Sequence, residues 1–334
     1  MSFNQYRTNP GQAVSKFKGR TDTPKAWPST AVSTWTNGGL FGAAFSLAGG
    51  TETEADGYKY YSFTATGNLE VSGTGDVDVL IMGGGGAGNN GFGNGGGGGG
   101  AGQWLSTTNA MTISGPMTLT CTIGSGGTAP APSGATKGNA SSVSHTAGAG
   151  TWATVSAKGG GVGGSGYTNQ GGTGGSGGGG ATNGQAGYAS ANYYADWTEY
   201  VNEGGAGGDL NSDWTSGGGG SAAQTGQNPW GSGGASYGGS GGYGRLWLDG
   251  YSYGAGGAGN AVSSYQAYGG ARNSSDSTRL GGDGTNGVNY SQAPAVPSNE
   301  SGSNNHGSGS GGINYYIAYG TNGSNGRIIF RTAA

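Results

Sequence analysis

The residues that could perform chemistry in this chain are few and scattered. Its histidines are His145 and His306, both in polar surroundings, and its one cysteine is Cys121. Cys121 falls on the apolar face of an alternating segment, MTLTCTI at 117–123, so it reads as a buried structural thiol and not as a nucleophile. A lone cysteine builds neither an intramolecular disulfide framework nor a cysteine zinc cluster. Asp196, Glu199, Glu203, Asp209 and Asp213 form an acidic stretch, with no Lys or Arg between Lys158 and Arg245. Such carboxylates could supply a glycosidase pair or a calcium loop, but their spacing matches no known loop, and a solvated acidic surface is favoured. GGGGAG at 83–88 fits G-x-G-x-x-G and follows the apolar run 77–82, as a dinucleotide fingerprint would. No helical pattern follows it, and no Asp or Glu occurs between Asp78 and Asp196 to hold a ribose hydroxyl. With 85 glycines in the chain, the match is expected by chance. No Gly-Lys-Ser or Gly-Lys-Thr occurs, which excludes a P-loop. The expectation is a protein that is not an enzyme, with no cofactor and no metal site.

The aromatic residues carry a clearer pattern. They cluster in the segments that interrupt glycine tracts: Tyr188, Tyr193, Tyr194, Trp197 and Tyr200, then Trp214, then Trp230 and Tyr237. Tyr243, Trp247, Tyr251 and Tyr253 follow, then Tyr265 and Tyr268. Tyr and Trp give large, rigid, amphipathic contact area at low entropic cost, and Ser, Gly and Asn surround them here. Two readings stand side by side. The clusters cap the ends of a glycine scaffold, or they form a binding face on it; of the set, Tyr193 through Tyr268 are the candidate receptor-binding residues.

The elements that must position them follow from composition. The 334 residues include 85 Gly and 9 Pro, a proportion usually met in low-complexity chains. Charged residues make up only 9%, however, and 8 Trp, 19 Tyr and 7 Phe are present. A disordered chain leans on charge and lacks aromatics, so order is expected. A net charge of −3 with 13 Lys and Arg gives no basic stripe and argues against a nucleic-acid partner. No window approaches 18 apolar residues, so membrane insertion is not expected, and MSFNQYRTNPGQ lacks the apolar core of a signal peptide.

Four regions are expected. Residues 1–57 are polar and turn-rich, mildly basic at the start (Arg7, Lys16, Lys18, Arg20 and Lys25 against Asp22), and read as a docking segment. Residues 58–157 hold short alternating runs at 61–66, 69–72, 77–82, 103–107, 117–123 and 152–157, separated by Gly, Ser and Asn turns. These predict a small antiparallel β-sandwich. Residues 158–312 are a glycine-rich excursion. Residues 313–334 return to strand pattern at 313–319 and 327–331 and are expected to close the early sheet.

The excursion has a physical solution. Polyproline II geometry has three residues per turn, a rise of about 3.1 Å and no internal hydrogen bonds. Helices of this kind packed side by side satisfy one another's backbone groups, but only where glycine allows close approach. The fragment GGTGGSGGG at 171–179 shows the period of three, with Thr173 and Ser176 expected on one outward edge, and 167–170 as a turn. The fold class is therefore mainly β with a polyglycine II bundle, and almost no α-helix.

The order of motifs along 58–332 also resembles a known family. VDVLIMGGGGAG at 77–88, LTCTIGSGG at 119–127, NASSV at 139–143, VSAKGGG at 155–161 and GRIIFR at 326–331 carry the likeness. They resemble the glycine-rich domain of bacteriophage tail-fibre and receptor-binding proteins, similar to the distal adhesins of T-even-type long tail fibres. The resemblance implies a layered polyglycine II bundle whose variable loops contact a host receptor, an outer-membrane protein or a glycan. It implies a virion protein, made in the host cytoplasm, that docks to other tail or fibre proteins through its N-terminal segment; a homo-oligomer is left open. A purely structural fibre or decoration protein is the alternative. More distant is an ice-binding protein, which would need flat Thr or Ser edges in place of bulky Tyr and Trp segments.

Overall fold

The computed structural model describes residues 43–89, 95–129, 134–166, 170–206, 215–230, 237–261, 271–273, 276–279, 306–312 and 321–334. Its strands in chain order are β1 (Ser46–Ala48), β2 (Thr51–Ala55), β3 (Tyr58–Phe63), β4 (Gly67–Ser72), β5 (Thr74–Met82), β6 (Trp104–Thr107), β7 (Met111–Ser114) and β8 (Met117–Thr122). There follow β9 (Ser141–Gly148), β10 (Val155–Ala157), β11 (Trp197–Tyr200), β12 (Arg245–Leu246), β13 (Ser252–Tyr253), β14 (Ala271–Asn273), β15 (Asp276–Arg279) and β16 (Arg327–Ala333). The described residues contain no α-, 3-10 or π-helix, and the named strands all pair antiparallel.

Two sheets make the sandwich. The smaller runs β1-β4-β8-β9-β10; the larger runs β11-β6-β5-β16-β3-β2, with β7 also paired to β5. The closing strand lies where the sequence expects it, between early strands: Phe330 stands opposite Tyr61 on one side and Val79 on the other. Period-2 alternation divides each strand between two faces. Val77, Val79 and Ile81 of β5, Ile328 and Phe330 of β16, and Leu119 and Cys121 of β8 meet in the core between the sheets. Leu80, Met82 and Ile329 point the other way, into a second cluster with Tyr60, Trp104, Trp247 and Tyr253. The larger sheet is therefore covered on both faces. Residues 46–55, placed by sequence in the docking segment, belong to the sandwich as β1 and β2; residues 1–42 lie outside the described residues.

The glycine tracts do pack as laterally bonded helices. The tract 96–103 shows the repeat most plainly. Gly97, Gly100 and Gln103 donate to Gly164, Gly161 and Lys158; Gly98 and Ala101 donate to Gly217 and Gly220; Gly99 and Gly102 donate to Ser310 and Gly307. Every third residue faces the same neighbour, as three residues per turn requires. The preceding tract, 83–89, bonds to 96–103 through Gly83, Gly86 and Asn89 and to 136–139 through Gly84 and Ala87. The lattice thus includes tracts on both sides of residue 158. Several of its helices are direct continuations of strands: β5 leads into 83–89, β8 into 124–129 and β10 into 158–164, while 96–103, 134–140 and 321–326 lead into β6, β9 and β16.

One expectation fails inside the lattice. The segment 171–179 is not one straight helix, because Gly178 donates to the carbonyl of Gly172 and bends occur at Gly175 and Ser176. Thr173 is exposed, but Ser176 turns inward, is fully buried and accepts from the Asn202 amide through its hydroxyl. The turn expected at 167–170 lies outside the described residues save for Gln170.

Close approach is the condition of this packing. A Cβ on Gly99 would stand 2.2 Å from the Gly86 carbonyl oxygen, and one on Gly86 would stand 2.0 Å from that of Gly161. Gly99→Ala should therefore cost about 3 kcal/mol or more by overpacking, whereas Thr173→Ala on the exposed edge should stay within about 0.5 kcal/mol. Urea unfolding of both variants checks this; equal midpoints would mean that the helices do not touch.

His306 sits at the seam between lattice and sheet, where its carbonyl accepts from Gly254 and the next residue, Gly307, abuts Met82. Burial, with Arg327 adding repulsion, lowers its pKa from 6.5 to about 4. Below about pH 6.5 the unfolded chain gains a proton that the folded chain refuses until about pH 4. The stability held by neutral His306 is thus complete above pH 6.5 and is lost as pH falls towards 4. Between pH 7 and 4.5 the parent should lose about 2–3 kcal/mol more than His306→Gln in urea melts, at about 1.4 kcal/mol per pKa unit. Parallel pH profiles would overturn this assignment.

Candidate functional site

The alternation that builds the sheets also sorts the candidate aromatics. Trp197 points inward from β11 and meets Trp152 edge-on at 6.4 Å, and Trp152 in turn packs at 6.3 Å from Phe330. Tyr194 packs against the same core, and its hydroxyl accepts from the Ser156 amide at 3.0 Å. Trp247 and Tyr253 lie in the second cluster, below the outer face of the larger sheet. The Trp247 indole donates to Ser106 at 3.0 Å, and the Tyr253 hydroxyl donates to Asp249, whose pKa is raised chiefly by burial. Trp197, Trp247 and Tyr253 are thus packing residues: buried rings have no contact area to offer a receptor, and they leave the candidate set. Trp214, Tyr265 and Tyr268 lie outside the described residues.

The remaining candidates reach solvent. Tyr193 is 74% exposed, Trp230 63% and Tyr251 37%, with Tyr188 also exposed; Tyr200, Tyr237 and Tyr243 are half-buried. Of these, Trp230 and Tyr237 are brought together. Their rings stack at 4.0 Å with only 6° between planes, and their backbones exchange hydrogen bonds of 3.1 and 2.8 Å. This is one rung of antiparallel ladder, the geometry in which cross-strand aromatics reinforce one another. It is rooted in the lattice on both sides: Gln227 donates to Ser240, and Gly218 donates to Gln227. The lattice therefore holds an aromatic pair in which Trp230 is exposed and the half-buried Tyr237 backs it, with the orientation of both set by the rung.

Two residues that sequence reasoning passed over meet elsewhere, on the outer face of the larger sheet. Trp104, at the start of β6, packs edge-on against Tyr200 at 5.0 Å, and Arg245 lies over both rings. The one available signal was Arg245 itself, the first cation after Lys158 in a polar, glycine-rich stretch.

The discarded motifs have structural settings. Burial in the sandwich core pushes the Cys121 thiol up to about 12. His145 lies in β9 with its Nε2 on the Ala147 carbonyl. The backbone groups of 83–88 are spent on lattice bonds, and neighbouring carbonyls stand where a phosphate would have to lie. In the acidic stretch, Asp196 occupies a turn with φ of 66°, Glu199 lies in β11, and Asp209 and Asp213 fall outside the described residues. Among the described residues no three His, Cys, Asp or Glu side chains converge as a metal site would require.

Comparison with known proteins adds one finding. No curated protein matches the chain. The family profile described as glycine-rich domain matches residues 62–333, which takes in the sandwich from β3 onward, the lattice and the closing strand. With most of its length inside that match, the chain belongs to the glycine-rich domain family.

Proposed function

We propose that this protein is a bacteriophage tail-fibre or fibre-tip adhesin that contacts a host-cell surface receptor through aromatic residues held at the ends of its glycine helices. The observation that carries the reading is the Trp230–Tyr237 stack, with its exposed Trp230 ring backed by the half-buried Tyr237. Two rings fixed by a ladder rung lose little entropy on binding, and Trp and Tyr are the residues in which binding energy tends to concentrate. Tyr193 and Tyr251 extend the exposed set. The order of motifs along 58–332, resembling that of phage receptor-binding proteins, supports the same reading. In it the protein works without catalysis, sits in the virion, and attaches to other tail or fibre components through its N-terminal segment.

A purely structural fibre component is the second reading, favoured by the burial of Trp197, Trp247 and Tyr253 in packing roles. The two separate in a cell-binding assay. The full chain fused to a fluorescent protein should decorate a bacterial host from a panel of strains. The double variant Trp230→Ala, Tyr237→Ala should bind at least about thirtyfold more weakly, as loss of a hot spot of about 2 kcal/mol implies. Failure to bind any strain would leave the structural reading standing.

A further inference from the structure

Two outer strands of the sandwich differ in what covers their edges. At β10 the outward groups of Ser156 are spent on side chains. Its N–H donates to the Tyr194 hydroxyl at 3.0 Å, and its carbonyl accepts from Asn192 Nδ2 at 2.8 Å. β2, the outermost strand of the larger sheet, has no such cover. All five of its residues are exposed, and among the described strands it pairs with β3 alone.

The turn that joins β2 to β3 fixes which backbone groups the free edge presents. Asp56 and Gly57 form a two-residue connection with φ of 52° and 79°, as in a type I′ hairpin turn. Such a turn makes Ala55 and Tyr58 a hydrogen-bonded pair, and bonded and non-bonded pairs alternate along an antiparallel ladder. Thr53 and Thr51 therefore bond inward to Tyr60 and Ser62, while Glu52 and Glu54 turn their N–H and C=O groups outward. No backbone group of the described residues takes these up. The same two residues carry the carboxylates of the strand. Glu52 reaches Lys59 at 2.9 Å in an exposed pair, which contributes little, and Glu54 forms no ion pair among the described residues.

This coincidence of free backbone and charge selects the partner. If a second copy of β2 paired antiparallel through these groups, a carboxylate of Glu52 or Glu54 would face another carboxylate in each register. Like charges directly opposite are destabilising, so self-pairing is opposed. A strand with a cation at every second position meets the reverse situation. We propose that β2 is a docking edge for an extended segment of another chain in which Lys or Arg alternates with an uncharged residue. The segment adds as a further strand, exchanging backbone bonds with Glu52 and Glu54 and setting its cations opposite their carboxylates. Its uncharged residue falls opposite Thr53. Neither Trp230 nor Tyr237 takes part, and nothing in the proposal depends on attachment to cells.

The test titrates the full chain, labelled with ¹⁵N, with the end-blocked peptide TKVKVKT. The backbone amide resonances of Glu52 and Glu54 should shift to saturation. The peptide TVKKKVT keeps the composition but loses the alternation, and it should bind at least tenfold more weakly. Glu54→Pro removes an outward N–H and a carboxylate but no ladder bond, a change that edge strands tolerate, and should weaken binding at least tenfold. The double variant Glu52→Gln, Glu54→Gln keeps the backbone and should weaken it about tenfold, as loss of two opposite-charge cross-strand pairs implies. If Glu54→Pro fails to fold, the double variant and the shuffled peptide decide. No shift at Glu52 and Glu54, equal affinity for TVKKKVT, or unchanged affinity in the double variant would each overturn the proposal. The carboxylates would then serve only as a guard against edge pairing.

Discussion

Everything in this molecule depends on one kind of contact, the lateral hydrogen bond between two extended glycine backbones. A chain with three residues per turn leaves its own N–H and C=O groups unpaired, and buried unpaired groups are prohibitively costly. Here they are paired with neighbours on three sides, at distances such as 2.8 Å from Gly86 to Gly100 and 2.7 Å from Gly205 to Gly218. That pairing requires that no Cβ intervene. At Gly312 a Cβ would fall 1.8 Å from the Gly96 carbonyl oxygen, and comparable clashes recur throughout the lattice. Such a lattice offers almost no apolar burial, which is the dominant favourable contribution to folding in most domains. The sandwich supplies it instead, with Val79, Leu119, Ile328 and Phe330 wholly enclosed.

The two halves need each other at the join. Strands β5, β8 and β10 run on into glycine helices, so the hydrogen bonding of the sheet passes into that of the lattice without a loop between them. Small polar side chains manage the transition. The Ser141 hydroxyl accepts from Gly124, and the Ser310 hydroxyl accepts from Gly88 and donates to Thr321, replacing backbone partners that the change of geometry removes. Gln103 does the same with its side chain, accepting from Lys158 and Asn192 and donating to the Asn192 carbonyl. The seam is also where His306 is held neutral, because burial there removes much of the water an imidazolium would need and Arg327 repels its charge.

What could be read from the sequence is what depends on local period. The alternation in 77–82, 117–123 and 327–331 identified buried strands, and the three-residue repeat among glycines pointed to laterally packed helices. Features set by distant partners were harder to see. Thr51–Ala55 forms an edge strand with every residue exposed, so its TETEA sequence carries no apolar face to betray it. The reversal at 174–176 is held by distant partners, Gly174, Gly175 and Ser176 donating to Tyr188, Gly159 and Ala101, and not by any breaker within GGTGGSGGG. The aromatics were ambiguous for the same reason. Trp197 and Trp230 both sit in segments that interrupt glycine tracts, yet one closes the sandwich and the other faces solvent. Trp104 and Arg245 acquire meaning only because β6 and the 245–248 segment meet across the sheet.

A scaffold of this kind also constrains where the protein can change. Lattice bonds join residues far apart in sequence, as Gly99 to Ser310 and Gly161 to Ser176 do, and they draw on the tracts and not on the connections between them. The entropic cost of a longer connection grows only with the logarithm of its length. A substitution inside a tract, by contrast, drives a side chain into a neighbouring carbonyl. Length and composition are therefore free to vary in the segments between tracts, and those segments hold most of the exposed aromatics, Tyr188, Tyr193, Trp230 and Tyr251. The glycine that makes the sequence look featureless is what confines its chemistry to a few places, and it holds those places still.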